Sequence, residues 1–492
     1  MTTEETIAAR RTEPWRDALR KSMTNRARAA IPRVRMNELD PEYRSRNSEE
    51  VNLGLTPEQA MQEARRCIDC PSPSCMKGCP VSINIPTFIK HIEAGEFLKA
   101  AATLKETSAL PAVCGRVCPQ EKQCEAQCIH LKMKNDAVAI GYLERFAADC
   151  ERESGQISVP AASAPNGIRV AAVGSGPAGL SFAGEMARLG YGVTVFEALH
   201  EIGGVLKYGI PAFRLPNAVV DVEIDILRKM GVEFLNNCIV GKTLAYEDLK
   251  ADGFEGIFVA SGAGLPNFMD IPGENLIGVM SSNEYLTRVN LMDAANPESD
   301  TPVLTGRHVA VIGGGNTAMD SVRTARRLGA ERAMIVYRRS EEEMPARIEE
   351  IKHAREEGIE FLTLHSPVEY LGDEKGRVRQ MRLQKMTLGE PDASGRRRPV
   401  PVEDAVETVP VDEVIVSVGV SPNPLIPNTF RNLDISRRGT IVVDEATMRS
   451  SLADVYAGGD IVRGGATVIL AMGDGRKAAA AMHEWLKDSS GR

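Results

Sequence analysis

The sequence predicts an α/β protein, with an α-helical, cysteine-rich N-terminal region followed by two Rossmann-like nucleotide-binding units. Three observations carry this. The stretches "GIRVAAVGSGPAGLSFAGEMARLGYGVTVFE" and "GRHVAVIGGGNTAMDSVRTARRLGAERAMIVYRR" resemble each other. Each has a short β-branched run, a glycine turn, an amphipathic helix and a second apolar strand, which makes each a β-α-β nucleotide-binding half. Eight of the ten cysteines lie between Cys67 and Cys128. A Ser/Ala/Pro/Gly-rich run, "SGQISVPAASAPNG" at 154–167, separates the two textures as a linker.

Taken in order, residues 1–50 are polar and arginine-rich, a pattern that usually reads as an extended arm or a solvated surface, with interface packing as the minority reading. From Thr56 a helix is expected, with Thr at a capping position, Pro57 in the first turn and Glu58 close behind. The cysteines follow, interleaved with short helical segments. The expected divisions are 1–155 for the arm and helical region, 165–295 for the first unit, 296–420 for the second, and 421–492 for the return to the first. At 492 residues the chain exceeds the roughly 250–300 residues beyond which single cores stop growing.

Composition narrows the function classes. Acidic residues outnumber basic ones, 67 to 59, for a net charge of −8, which argues against nucleic acid as the partner. "MTTEETIAARRTEPW" has no apolar signal region and no run of about 18 apolar residues occurs, so a cytoplasmic location away from membranes is expected. In a reducing compartment clustered cysteines read as ligands or catalysts, not disulfides.

Gly174, Gly176 and Gly179 form G-x-G-x-x-G between a strand and a helix. The first glycine permits the turn, the second lets a pyrophosphate approach, and the third lets helix and strand pack closely. The anion is then expected on the helix N-terminus. Glu197 closes the next strand, where a carboxylate accepts from ribose hydroxyls. Two features favour FAD here. Gly203 and Gly204 offer another close backbone approach, with Arg214 as a cationic contact. The distant "AGGDIV" offers Gly459 and Asp460 for ribityl hydroxyls, followed by a helix whose positive end lies near Thr467 and Val468. The plainer alternative is that Asp460 only caps that helix.

Gly313, Gly315 and Ala318 make G-x-G-x-x-A, with Asn316 and Thr317 at the pyrophosphate turn. Arg338 and Arg339 end the next strand, where an NAD site would carry an acid. Two guanidinium groups there favour the 2'-phosphate of NADPH.

Electrons arriving from NADPH at a flavin need an exit, and no cysteine pair follows either glycine turn. The N-terminal cysteines remain. Their spacing is C-x2-C-x4-C-x3-C-P (Cys67, Cys70, Cys75, Cys79), then C-x3-C-x5-C-x3-C (Cys114, Cys118, Cys124, Cys128). That matches iron–sulfur ligation better than a zinc ribbon, which has two separated C-x2-C pairs, and no C-x-x-C-H for haem occurs. Spacing alone groups each run as its own set of four.

Together, "RCIDC", "GCPV", "LPAVCGRVCPQE", "VGSGPAGL", "GIPAFRLP", "IPGENLIGV", "NEYLTRVNLM" and "GGGNTAMD" resemble the small subunit of NADPH-dependent glutamate synthase and its relatives. Those relatives are the flavin subunit of ferredoxin:NADP transhydrogenases and the N-terminal half of dihydropyrimidine dehydrogenase. The resemblance covers the chain from about residue 30. It implies FAD, NADPH and two [4Fe-4S] clusters on glutathione-reductase-type domains. It further implies that Cys67, Cys70, Cys75 and Cys128 hold one cluster, and that Cys79, Cys118 and Cys124 hold the other with Glu144. Glu144 against Cys114 as the last ligand stays open at this point.

The implied chemistry is hydride transfer from the nicotinamide to the flavin, then single-electron passage to a partner, with no catalytic acid or base. The chain shows neither an N-terminal nucleophilic cysteine nor room for an amidotransferase, so glutamate formation is expected on another polypeptide. That partner is a glutamate synthase large subunit. The alternative is a ferredoxin:NADP oxidoreductase working with a small flavin/[2Fe-2S] subunit and ferredoxin. Either is a hetero-oligomer. An iron–sulfur redox sensor is the non-enzymatic alternative, disfavoured by the two paired nucleotide motifs.

Overall fold

A computed structural model describes residues 9–393 and 395–490, and the first eight residues of the expected arm lie outside them. Two five-stranded parallel sheets organise everything after the linker. The first runs, edge to edge, Val455–Ala457, Phe254–Val259, Arg169–Val173, Gly192–Phe196 and Glu233–Leu235. The second runs Glu360–Thr363, Arg332–Tyr337, His308–Ile312, Glu413–Val416 and Val279–Ser281. Their central strands, "RVAAV" and "HVAVI", are buried along nearly their whole length, as continuous apolar runs in parallel sheets require.

The second sheet takes in Val279–Ser281, ahead of the expected boundary at residue 296. A strand of three residues with no glycine-rich fingerprint gives the sequence little to mark it. The chain crosses between the units at a short antiparallel pair, Leu265–Pro266 with Val420–Ser421. A further antiparallel sheet, His365–Gly372, Val378–Pro391 and Arg397–Pro410, extends the second unit and was not expected from the sequence.

The N-terminal region is helical, as expected. Its helix Pro57–Arg65 starts at a capping box in which Thr56 and Gln59, rather than Glu58, exchange hydrogen bonds. Helices Pro111–Val117 and Ile140–Ser154 touch backbone to backbone at Gly115, where a Cβ would lie 2.5 Å from the Arg145 nitrogen. The apolar core of this region is continuous with one face of the first sheet: Leu104, Cys114, Phe182 and Met472 belong to one cluster. No helix of the described residues is long and apolar enough to cross a membrane.

Parts of the arm are exposed, but at three arginines the minority reading, interface packing, holds. Arg16, Arg28 and Arg44 are buried, because each guanidinium finds carboxylates: Arg16 grips Asp69 (2.6 and 3.1 Å), Arg28 meets Glu93 (2.7 Å), and Arg44 meets Glu356 (2.5 Å) and Glu357 (3.2 Å). Arg44 thereby joins a buried ionic lattice between the arm, the first unit and the second. Glu357 also accepts from Arg323 (2.8 and 3.0 Å) and Arg327 (2.8 Å), and Glu350 pairs with Arg323. Phe213 of the first unit lies under both of these arginines, 4.6 and 3.9 Å from their guanidinium carbons. Arg214 donates to both oxygens of Asp320 (2.7 and 2.6 Å) and lies 3.2 Å from Glu350. Burial pushes Glu350 upward, yet Arg214 and Arg323 outweigh it and hold its carboxyl at about 2.

Removing one member of a buried ion pair strands its partner, at about 3–5 kcal/mol. Arg214→Ala is therefore expected to destabilise the folded chain by that order in a denaturant titration, and an unchanged midpoint would contradict the pairing.

Candidate functional site

The glycine turns come first, because their geometry is local. Gly174 has φ +104°, and a Cβ there would lie 2.4 Å from the Ala260 oxygen; one at Gly179 would lie 2.0 Å from the Gly174 oxygen. These two glycines are demanded by packing. A Cβ at Gly176 would meet nothing within 4 Å, and the same is true of Gly315 in the second turn. Packing does not require glycine at either place, so both turns keep a bare backbone facing open space, which suits a pyrophosphate. Gly313 (φ +146°) abuts the Ser417 oxygen, and Ala318 fits its methyl into the core at the third position.

Around the first turn, Glu197 is buried and accepts from the Ser175 nitrogen (2.9 Å), the Ser175 hydroxyl (2.5 Å) and the Leu199 nitrogen (2.8 Å). The Gly203 nitrogen closes the group by donating to Ser175 Oγ (3.0 Å), and Gly204 (φ +55°) lies against Gly176. Asp460 follows Gly459 at the start of a short helix and accepts from the Ala466 nitrogen (2.9 Å); burial raises its pKa. Asp474 holds this loop, accepting from the Gly459 nitrogen (3.0 Å) and from Arg463 (2.6 and 2.7 Å). Tyr208, which sequence reasoning passed over, sits among these groups: burial, then the charges of Asp460 and Glu197, push its phenol up to about 12. Its signal was present in "GGVLKYGIP", one aromatic inside a glycine-bounded turn.

Other expected residues lie differently. Arg214 is taken up by Asp320 and Glu350 of the second unit, so its charge faces away from the role of flavin cation. Thr467 caps the helix Val468–Ser490, accepting from the Leu470 nitrogen (3.4 Å), and also meets Gln123 Nε2 (3.5 Å). In the second turn, Asn316 accepts from the Arg347 nitrogen (2.9 Å), while Thr317 is exposed. The paired arginines divide. Arg339 is buried, donating to Asp392 (2.6 Å) and the Arg397 carbonyl (2.8 Å). Arg338 is exposed and has no partner among the described residues.

The cysteines fall into two groups that cross the two runs. Cys67, Cys70, Cys75 and Cys128 line one apolar pocket with Ile68, Ile85, Ile89 and Val138. Burial raises the pKa of Cys67 and of Cys75, and that of Cys70 to about 11, with the neighbouring cysteines adding to it. Such a set is unfavourable as bare thiolates and becomes favourable around a cationic centre, so its donor chemistry fits iron. Two features missed in the sequence hold the loop. Asp69, between the first two cysteines, adopts φ +54° in the grip of Arg16, and the buried Lys90 donates to the Cys67 carbonyl (2.6 Å).

Cys79, Cys118 and Cys124 form the second group, and each of Cys79 and Cys124 is influenced by Cys118 and by Glu144. Glu144 projects from the helix brought in at Gly115. It is buried, its Oε1 has no hydrogen-bond partner, and burial followed by the charge of Glu223 pushes it up to about 8. An orphaned carboxylate oxygen aimed among three thiols fits a fourth ligand. Cys114 stands in the same neighbourhood, beside Cys118 and within the influence of Glu144 and Cys79, and its Sγ also lies 3.5 Å from Met472 Sδ. This group stands against the first unit: a Cβ at Gly473 would lie 3.1 Å from the Pro80 oxygen.

Glu38, Glu349 and His353 also converge, with ligand atoms within 4.8 Å of one another. Both carboxylates are already neutralised, Glu38 by Lys352 (3.0 and 3.1 Å) and Arg44 (3.3 Å), Glu349 by Arg347 (3.0 Å). This is an ionic latch between arm and second unit, with no charge left over for a cation.

Comparison with known proteins agrees with this layout. Residues 44–156 match the family described as dihydropyrimidine dehydrogenase domain II, 4Fe-4S cluster, and residues 168–475 match the pyridine nucleotide-disulphide oxidoreductase family. A glutamate synthase [NADPH] small chain from Azospirillum brasilense is 36% identical over 444 residues, covering 89% of this chain and 91% of that one. The NADPH-Fe(3+) oxidoreductase subunit beta of Geobacter sulfurreducens is also 36% identical, over 86% of this chain and 65% of its own. Among solved structures, Mycobacterium tuberculosis FprA in complex with NADPH shares the fold, with a TM-score of 0.55 at 20% identity over 66% of this chain and 86% of that chain.

If Glu144 is a ligand and Cys114 is not, anaerobically purified Cys114→Ala retains the wild-type iron and acid-labile sulfide, whereas Glu144→Ala loses one centre's share and one reduced-cluster EPR signal. The reverse pattern would restore the grouping by spacing.

Proposed function

Because the chain belongs to the pyridine nucleotide-disulphide oxidoreductase family, in the branch of the glutamate synthase small chains, we propose that it is the electron-input subunit of an NADPH-dependent glutamate synthase. In this reading it takes reducing equivalents from NADPH and delivers them to a flavoprotein large subunit on which glutamate forms. The broader class, an NADPH-dependent flavin and iron–sulfur oxidoreductase, rests on both family matches and the relatives' names. The observation that carries the reading is the pair of bare glycine turns in series with two cysteine groups on one chain.

When bound, FAD supplies exchange between hydride and single-electron chemistry, and iron–sulfur clusters supply one-electron carriers. The chain's part is positioning. Gly176, with Ser175 and Glu197 locked behind it, would seat the FAD pyrophosphate and ribose, and Asp460 and Tyr208 would border its far side. Gly315 would seat the NADPH pyrophosphate on the helix Asn316–Arg327, with Arg338 as the free cation for the 2'-phosphate. Cys67, Cys70, Cys75 and Cys128 would hold one cluster, and Cys79, Cys118, Cys124 and Glu144 the other. No side-chain acid or base would be needed; what the chain would contribute is the placement of the two nucleotides and the exclusion of water from between them.

A second reading keeps the cofactors and changes the acceptor, favoured by the equal identity to a subunit of an iron(III) oxidoreductase. Mixing the anaerobic chain with a glutamate synthase large subunit separates them: NADPH-driven glutamate formation supports the first reading, and its absence alongside rapid iron(III) reduction supports the second.

Arg338→Ala is expected to weaken NADPH binding about tenfold or more while sparing NADH, the loss of a charge-assisted contact of roughly 1.5–3 kcal/mol. Arg339→Ala should lower stability before it changes coenzyme preference. Titration of both coenzymes into each variant checks this.

A further inference from the structure

The two cysteine groups are unequally placed. The second is walled in by the helix Val468–Ser490, through Gly473 on Pro80 and Met472 on Cys114. The first is nearer solvent: Cys67, Cys70 and Cys75 are half-buried and only Cys128 is buried, whereas in the second Cys118 and Cys124 are buried and only Cys79 is half-buried. If electrons enter from the flavin unit, the first group is where they leave. That step rests on the proposed function.

The rim of this pocket differs from the rest of the molecule. Ile129 and His130 line the pocket, and the chain then turns outward as Leu131, Lys132, Met133 and Lys134, all exposed. The turn is rigid. His130 Nε2 bonds the Arg66 carbonyl (3.0 Å), Asn135 bonds the Ala29 carbonyl (3.1 Å), and Lys134 holds a left-handed position (φ +59°) that closes on the Leu131 oxygen (3.1 Å). Lys77 is exposed on the short helix that carries Cys75, and that helix is tied beside Cys128 by the Ser74 hydroxyl on the Gln127 carbonyl (2.6 Å).

Lys77, Lys132 and Lys134 have no partner among the described residues. The acids of the same segments are mostly withdrawn: Asp69 is gripped by Arg16 and Glu125 by Arg33 (2.8 Å), leaving Asp136 exposed. In a chain of net charge −8, the pocket mouth is thus a positive, partly apolar rim around a thiol-lined pocket. Unpaired like charges around an apolar contact suit a transient complex steered by an oppositely charged surface.

We propose that the Leu131–Lys134 turn and Lys77 form the docking face for an acidic, electron-accepting protein surface. Each NADPH oxidised to NADP+ and a proton yields two electrons, which cross this face one at a time to the acceptor docked on it.

The test uses the holoenzyme and one acceptor in two charge forms, native cytochrome c, which is basic, and succinylated cytochrome c, which is acidic. An uncharged quinone reports the internal path. At low salt the wild type is expected to reduce the acidic form at least about tenfold faster than the basic one, with the advantage falling as salt rises. The triple variant Lys77→Glu, Lys132→Glu, Lys134→Glu should reverse that preference while its NADPH–quinone rate stays unchanged. An unreversed preference overturns the docking face. A change in the sedimentation of the chain alone on triple substitution would overturn it in favour of a second copy as the occupant. Absence of NADPH–quinone turnover in the wild type would instead overturn the functional reading beneath it.

Discussion

The buried ionic lattice between the arm, the flavin-type unit and the second nucleotide unit constrains the whole arrangement. Arg44, Arg214, Arg323 and Arg327 face Asp320, Glu350 and Glu357 in a region from which water is largely excluded. Charges taken out of water cost several kcal/mol each unless paired with good geometry, so such a lattice tolerates few alternative packings. Asp320 stands two residues beyond Ala318, on the helix that begins at the second glycine turn, and Arg214 belongs to the loop after Gly204. The contact that joins the units therefore also fixes one nucleotide turn relative to the other.

A different force fastens the cysteine region. Here the junction is apolar and continuous, with Met472 and Gly473 of the last helix packed on Cys114 and Pro80. Small groups at this seam bring backbone against backbone, and Gly115 does the same between the two helices that carry Cys114, Cys118 and Glu144. Polar lattice on one side and close-packed seam on the other leave the flavin-type unit in the middle, in contact with both neighbours.

What could be read in the sequence follows from how local each requirement is. The glycine turns and the strands before them were legible, because φ and close approach act within a few residues of one another. The existence of an iron-binding region was legible from cysteine density. Its partition was not, since Cys128 meets Cys67 in one pocket and Glu144 comes near Cys79 only through tertiary packing; the resemblance to a family suggested a crossing of the two runs, and spacing pointed the other way. The carboxylate partners of Arg214 and of the arm's arginines escaped the sequence for the same reason. A long cation reads as solvated until its carboxylate, as much as 313 residues away for Arg44 and Glu357, is known. The antiparallel sheet went unseen because its longest strands, Val378–Pro391 and Arg397–Pro410, interleave charged residues with their apolar ones, and the second is mostly exposed.

The seam between the cysteine region and the first sheet has a further consequence. The stretch joining them, 156–166, is irregular and mostly open to solvent, as a protease would need. Yet Leu104, Cys114, Phe182 and Met472 share one apolar interior across it. A nick in that stretch would sever the polypeptide without separating its parts: the two fragments would migrate together until a denaturant or detergent pulled the interior open.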